Sequence, residues 1–94
     1  MVWVKSLKDD YVNVNNIISI TSDQRSNAIV AVVGYKDVRL QHVIYHSRAL
    51  DNVLQGKVPR SENEVIEKII TCIEEAKEPG SPKILDFESI LSDF

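Results

Sequence analysis

Apolar and polar residues alternate with a period of two through most of the first half of the chain, and with a period near 3.6 through the second. Residues 2–7 are short and rich in β-formers, and Lys8-Asp9-Asp10 carries turn chemistry. Over residues 11–21, Val12, Val14, Ile18 and Ile20 share one parity, while Tyr11, Asn13, Asn15, Ile17, Ser19 and Thr21 share the other. This predicts a half-buried strand, with a bend or bulge near Asn15 and Asn16 where a polar residue falls on the apolar parity. Residues 22–27 are polar and read as a loop. Residues 28–33 are apolar on both parities and β-branched at four of six positions, as in a central strand covered on both faces. A turn is expected at residues 34–37. Beyond it, Val38, Leu40, His42 and Ile44 alternate with Arg39, Gln41, Val43 and Tyr45.

The period then changes. Residues 47–55 place Leu50, Val53 and Leu54 at helical spacing, and Gly56 follows where a left-handed terminating residue belongs. Ser61-Glu62-Asn63-Glu64 has the form of a capping box. After it come Val65, Ile66, Ile69, Ile70 and Ile73 as one helical stripe. Glu78-Pro79-Gly80-Ser81-Pro82 ends that helix. In the remaining segment Phe87, Ile90, Leu91 and Phe94 fall at i, i+3, i+4 and i+7. The expected architecture is α+β: an antiparallel meander of about four strands packed by a long C-terminal helix, with a short preceding helix and an amphipathic tail. Residues 1–82 form the expected domain, and residues 83–94 a tail that acts as a docking segment or a lid. The expected core joins Val12, Val14, Ile18, Ile20, Val30, Val32 and Leu40 to Ile66, Ile69, Ile70 and Ile73.

Composition narrows the functional classes. At 94 residues, with 44% hydrophobic and 27% charged residues, the chain has the makeup of one globular domain. Its core is thin for that size, which favours self-association. A single cysteine, Cys72, excludes a disulfide scaffold and a cysteine-built zinc site. The longest apolar run is far below the ~20 residues of a membrane span. Lys5 interrupts the N-terminus before an apolar signal region can form, so a cytoplasmic location is expected. The size and style are those of small bacterial and phage proteins. Charge is distributed unevenly. Residues 1–60 carry eight Lys or Arg against five Asp, residues 61–94 three Lys against nine Asp or Glu, or net +3 and −6. Opposite halves allow head-to-tail pairing of two copies.

Candidate chemistry is sparse. His42 and His46 are four apart, but on a strand that spacing spans roughly 13 Å, too far to share an ion. Cys72 falls near the buried stripe, and Glu74 and Glu75 beside it disfavour a thiolate. Glu74, Glu75 and Glu78 read as a solvated helix face. The three glycines are isolated, so no phosphate loop forms, and no Gly-x-Ser-x-Gly nucleophile motif occurs. The expectation is therefore no catalytic, metal or cofactor site, and no enzyme. The leading function is a non-enzymatic interaction or accessory protein that self-associates, a dimer first, or takes an unidentified protein partner. Its contact residues are those of the tail: Phe87, Ile90, Leu91 and Phe94. The alternative is a nucleic-acid-binding regulator. The first half holds Lys5, Lys8, Arg25, Lys36, Arg39 and Arg48 with Trp3, Tyr11, Tyr35 and Tyr45, and Arg39 and Tyr45 share the expected outer parity of the fourth strand.

Overall fold

The computed structural model describes residues 1–35 and 37–94. The class is α+β, but the strands form two three-stranded sheets instead of one four-stranded meander. In the first, β1 (Trp3–Lys5) lies between β2 (Tyr11–Asn13) and β6 (Ile84–Leu85). In the second, β4 (Ala28–Tyr35) lies between β3 (Ile17–Asp23) and β5 (Val38–His46). The 15-residue helix α2 (Glu62–Ala76) is not the C-terminal element: β6 and the single helical turn α3 (Phe87–Ile90) follow it. The short helix α1 (Ala49–Leu54) precedes it. The turn expected at residues 34–37 includes Lys36, which lies outside the described residues.

The corrected topology has a local cause. The Asn13 side chain accepts from the Asn15 amide at 3.0 Å and caps a 3-10 turn, Val14–Asn16. The strand expected over residues 11–21 therefore breaks into β2, which joins β1, and β3, which joins β4. The hairpin before it is tied by Ser6. The Ser6 amide donates to the Asp10 carbonyl at 2.8 Å, its hydroxyl donates to the Asp10 carboxylate, and Asp9 takes a left-handed φ of 64° at the tip. β1 then pairs antiparallel with β2 and parallel with β6, aligning Val12, Val4 and Leu85 in one buried row.

β4 is the expected central strand. Ala28, Ile29, Val30, Ala31 and Val33 are all buried. Its two neighbours each carry an extra residue. Ile17 pairs with Val33 and Ser19 with Val32, leaving Ile18 bulged; Val43 pairs with Val30 and Tyr45 with Ile29, leaving Ile44 bulged.

α2 starts as expected. The Glu64 amide donates to the Ser61 hydroxyl at 3.2 Å. Val65, Ile69, Ile73 and Ala76 form its buried edge and share one core with Val2, with Val4 and Leu85 of the first sheet, and with Ile29, Ala31, Ile44 and Tyr45 of the second. Phe87 and Leu91 complete this core. Six residues of the expected core lie outside it: Val12 and Val30 are buried elsewhere, Val32 is half buried because β4 gives Ile29 and Ala31 to this core instead, and Ile18, Leu40 and Ile70 are exposed. The bulge displaces Ile18 to the exposed face over Gly34. Leu40 stays half exposed on the edge strand β5, and Ile70 opens onto a shallow groove of about 190 Å³ beside Val14, Ile17 and Ile20.

Ile69 is fully buried at the junction of both sheets. Ile69→Ala is expected to lower the unfolding free energy by about 2–5 kcal/mol, measured by urea denaturation. A midpoint equal to the parent's would show that α2 does not join the two sheets.

Candidate functional site

The chain leaves β5 at His46 and enters α1 at Ala49, making a corner against the C-terminal segment. Arg48 occupies the N-cap position of α1. Its Nη2 donates to Glu88 Oε2 at 2.9 Å, and Glu88 Oε1 accepts from the His46 amide at 2.9 Å. The carboxylate thus ties β5 to α3 through two charge-assisted bonds. The guanidinium also sits 5.9 Å from the Tyr45 ring centroid. Burial raises the pKa of the Tyr45 phenol above its ordinary range, against the opposing pull of Arg48.

Beside this corner lies an open cleft of about 430 Å³. Asn52, Lys57, Arg60, Glu64, Asp93 and Phe94 line it. The Arg60 guanidinium stacks 4.6 Å from the Phe94 ring centroid and reaches Glu64 Oε2 at 3.4 Å. Two cations and two carboxylates balance there, so the cleft favours neither sign of ligand. Among the described residues, no group of three or more His, Cys, Asp or Glu side chains is arranged to hold a metal ion.

α1 itself presents an unusual face. The half-buried Ala49 and Asn52 turn toward the body of the protein. Leu50, Val53 and Leu54, at i, i+3 and i+4, turn away from it and remain 71%, 55% and 76% exposed. Val58 beyond the helix is 88% exposed. The helix ends in a Schellman turn. Gly56, at φ 75°, donates to the Val53 carbonyl at 3.0 Å, and the Lys57 amide donates to Asn52 at 2.7 Å. That turn reverses the chain after the helix, and Val58 lies at the cleft beside Asn52 and Arg60.

The structure separates the residues proposed from sequence. Phe87 and Leu91 lie in the chain's own core, Phe94 is half buried under Arg60, and Ile90 is exposed. Contact of Phe87 or Leu91 with another protein therefore requires the tail to leave this core. Arg39 is exposed opposite Gly34, whereas Tyr45 is buried opposite Ile29. The extra residue at Ile44 shifts the parity between them, so they do not share a face. Lys36 and the Tyr35 side chain lie outside the described residues. His46 is exposed, and His42 Nδ1 lies 3.6 Å from Asp10 Oδ2. Cys72 is half buried, and desolvation raises its pKa, with Lys68 opposing and Glu75 adding to the rise.

Sequence reasoning missed Glu88 as a partner of Arg48, because ion pairs 40 positions apart leave no periodic trace. It read Leu50, Val53 and Leu54 as a helical stripe, but periodicity alone does not show whether a stripe faces inward or outward. Comparison with protein-family models, with curated proteins and with solved structures gives no match. No helix among the described residues is long and apolar enough to cross a membrane.

The Asp10 carboxyl titrates below its usual range, chiefly because the Ser6 hydroxyl donates to it; desolvation opposes this, and His42 adds to it. A depressed folded pKa stabilises the fold above the unfolded value, and that stabilisation disappears as pH falls through the folded value. Asp10→Asn is therefore expected to be less stable than the parent near neutrality, with the gap closing below about pH 4. Urea denaturation across that range checks this, and a gap independent of pH would contradict it.

Proposed function

We propose that the chain is a small, non-enzymatic interaction module that associates with itself. The observation carrying this reading is the outward apolar face of α1, with Leu50, Val53 and Leu54 exposed. A helix docked only against its own domain turns its apolar stripe inward; here the half-buried positions are Ala49 and Asn52. Three large apolar side chains on one exposed helix face of a small domain are the mark of a contact surface. The thin core of a 94-residue chain adds to the case, because association buries surface that folding alone leaves wet. A symmetric dimer is the simplest closed assembly. The reading includes a cytoplasmic setting, with which a single free thiol at Cys72 agrees.

Static light scattering over a concentration series tests it. The expected molar mass rises to about twice 10.6 kDa as the concentration approaches about 1 mM. A mass of 10.6 kDa throughout would reject self-association. If such a monomer also bound single-stranded DNA with an affinity falling steeply with salt, the nucleic-acid reading would take its place.

A further inference from the structure

We infer that the free edge of β3 and the groove beside it form a docking site for an extended, positively charged segment of another protein, which adds as a fourth strand to the second sheet. The site is separate from α1 and does not depend on self-association. Three observations support it.

The first is the edge. β3 is an outer strand whose one strand neighbour is β4. Residues 19–23 pair regularly with β4, and among the described residues no other backbone hydrogen bond reaches them. In an antiparallel pair, alternate residues turn both N–H and C=O away from the partner, so this stretch offers unpaired backbone groups. Ser19, Ile20, Thr21 and Ser22 include neither a charge nor a proline, the devices that protect strand edges. The opposite edge of the same sheet is guarded. The Leu7 amide donates to the Val43 carbonyl at 2.9 Å, and β5 carries Arg39, His42 and His46.

The second is the groove. On the α2 side of β3, Ile17 and Ile20 of the strand, Val14 of the 3-10 turn and Ile70 and Ile73 of α2 line a space of about 190 Å³. Ile70 is 45% exposed there. The space is smaller than the roughly 300–1,000 Å³ that enclose a small-molecule ligand, and suits individual side chains. A strand laid along β3 sends alternate side chains to this side of the sheet. One extended segment therefore meets both demands, with main-chain bonds to the edge and side chains in the groove.

The third is charge. Glu67 and Glu74 stand at i−3 and i+4 from Ile70, beside it on the helix surface. Glu62 at the start of α2 accepts from the Ser22 hydroxyl at 2.8 Å. The cation lining the groove, Lys77, is paired with Glu74 at 3.0 Å. This wall is net negative, so the complementary segment carries Lys or Arg. A second copy is a poor source. Its exposed cationic stretch, residues 57–60, contains Pro59, which cannot donate to a strand, and Arg60, which stacks on Phe94.

The experiment titrates the 15N-labelled full chain with an acetylated, amidated seven-residue peptide that alternates lysine and valine, at low ionic strength. Amide NMR shifts locate binding, and amide hydrogen exchange reports new backbone bonds. Saturable shifts are expected at residues 17–23 and 66–77, and not in α1. At saturation, the amides among residues 19–23 that face away from β4 are expected to exchange at least about tenfold more slowly. A peptide with glutamate in place of lysine is expected to bind at least about tenfold more weakly. Ile70→Ser, with a thermal melt to check its fold, is expected to weaken binding of the lysine peptide by about tenfold. An absence of saturable shifts up to about 1 mM peptide overturns the site. Binding without slowed exchange overturns strand addition, equal affinity in a folded Ile70→Ser overturns the groove, and an equally tight glutamate peptide overturns the cationic partner. Exchange at residues 19–23 that slows with protein concentration alone shows the edge occupied by a second copy. That result overturns the assignment to another protein while leaving self-association standing.

Discussion

The parallel pairing of β1 with β6 holds the two ends of the molecule together. The Trp3 amide donates to the Lys83 carbonyl at 2.8 Å, and Val4 and Leu85 stand side by side in the buried row. Lys83 also works from its other end: its ammonium donates to the Ala76 carbonyl at 2.7 Å and the Glu78 carbonyl at 2.8 Å. The Ala76 carbonyl is one of those that the end of α2 leaves without a helical partner, and a cation there opposes the negative end of the helix dipole; Glu78 lies in the turn just beyond the helix. One residue therefore anchors the C-terminus of α2 and the strand that completes the first sheet. Because the contact closes a loop of some 80 residues, it carries a large entropic cost, which the shared core on α2 must offset.

That core explains why neither sheet stands alone. The first sheet is three short strands, below the size at which a sheet is stable without a packed face. The buried edge of α2, Val65, Ile69, Ile73 and Ala76, belongs to one core cluster with residues of both sheets. Phe87 and Leu91 fill the remaining side. The opposite charges of the two halves of the chain are also used internally. Arg48 meets Glu88, Arg60 meets Glu64, and the Ser22 hydroxyl donates to Glu62 at 2.8 Å. With Phe87, Leu91 and several charge pairs engaged inside one chain, Leu50, Val53 and Leu54 of α1 remain exposed, as do Ile18, Val38 and Ile84 on other elements.

The legible parts of the fold were those set by local chemistry. The capping serine, the helical stripe and the glycine after α1 act within a few residues, and α1, α2 and the all-apolar β4 formed where their residues indicated. The parts that depend on long-range pairing were not legible. β6 is two residues long, too short to show a period, and its strand character comes from β1. The break at Val14–Asn16 was visible as a misplaced asparagine, but its consequence, strands joining different sheets, was not. The bulges at Ile18 and Ile44 each reverse the side-chain alternation, exposing Ile18 and burying Tyr45, so parity reasoning failed beyond them. In the tail, the spacing marked Phe87, Ile90, Leu91 and Phe94 as one face, whereas Phe87 and Leu91 are buried, Phe94 is half buried and Ile90 is exposed. The direction of that face depended on where β6 delivered it.

The central claim is that the chain is one cooperative unit closed by its C-terminal segment. Calorimetry of the chain truncated after Pro82 tests this most directly, because it removes β6, Phe87 and Leu91 together with the Lys83 clamp. The account predicts that the truncated chain shows no cooperative heat-absorption peak. A single sharp transition within about 5 °C of the parent's would contradict it, and would show that residues 1–82 fold without the segment that follows.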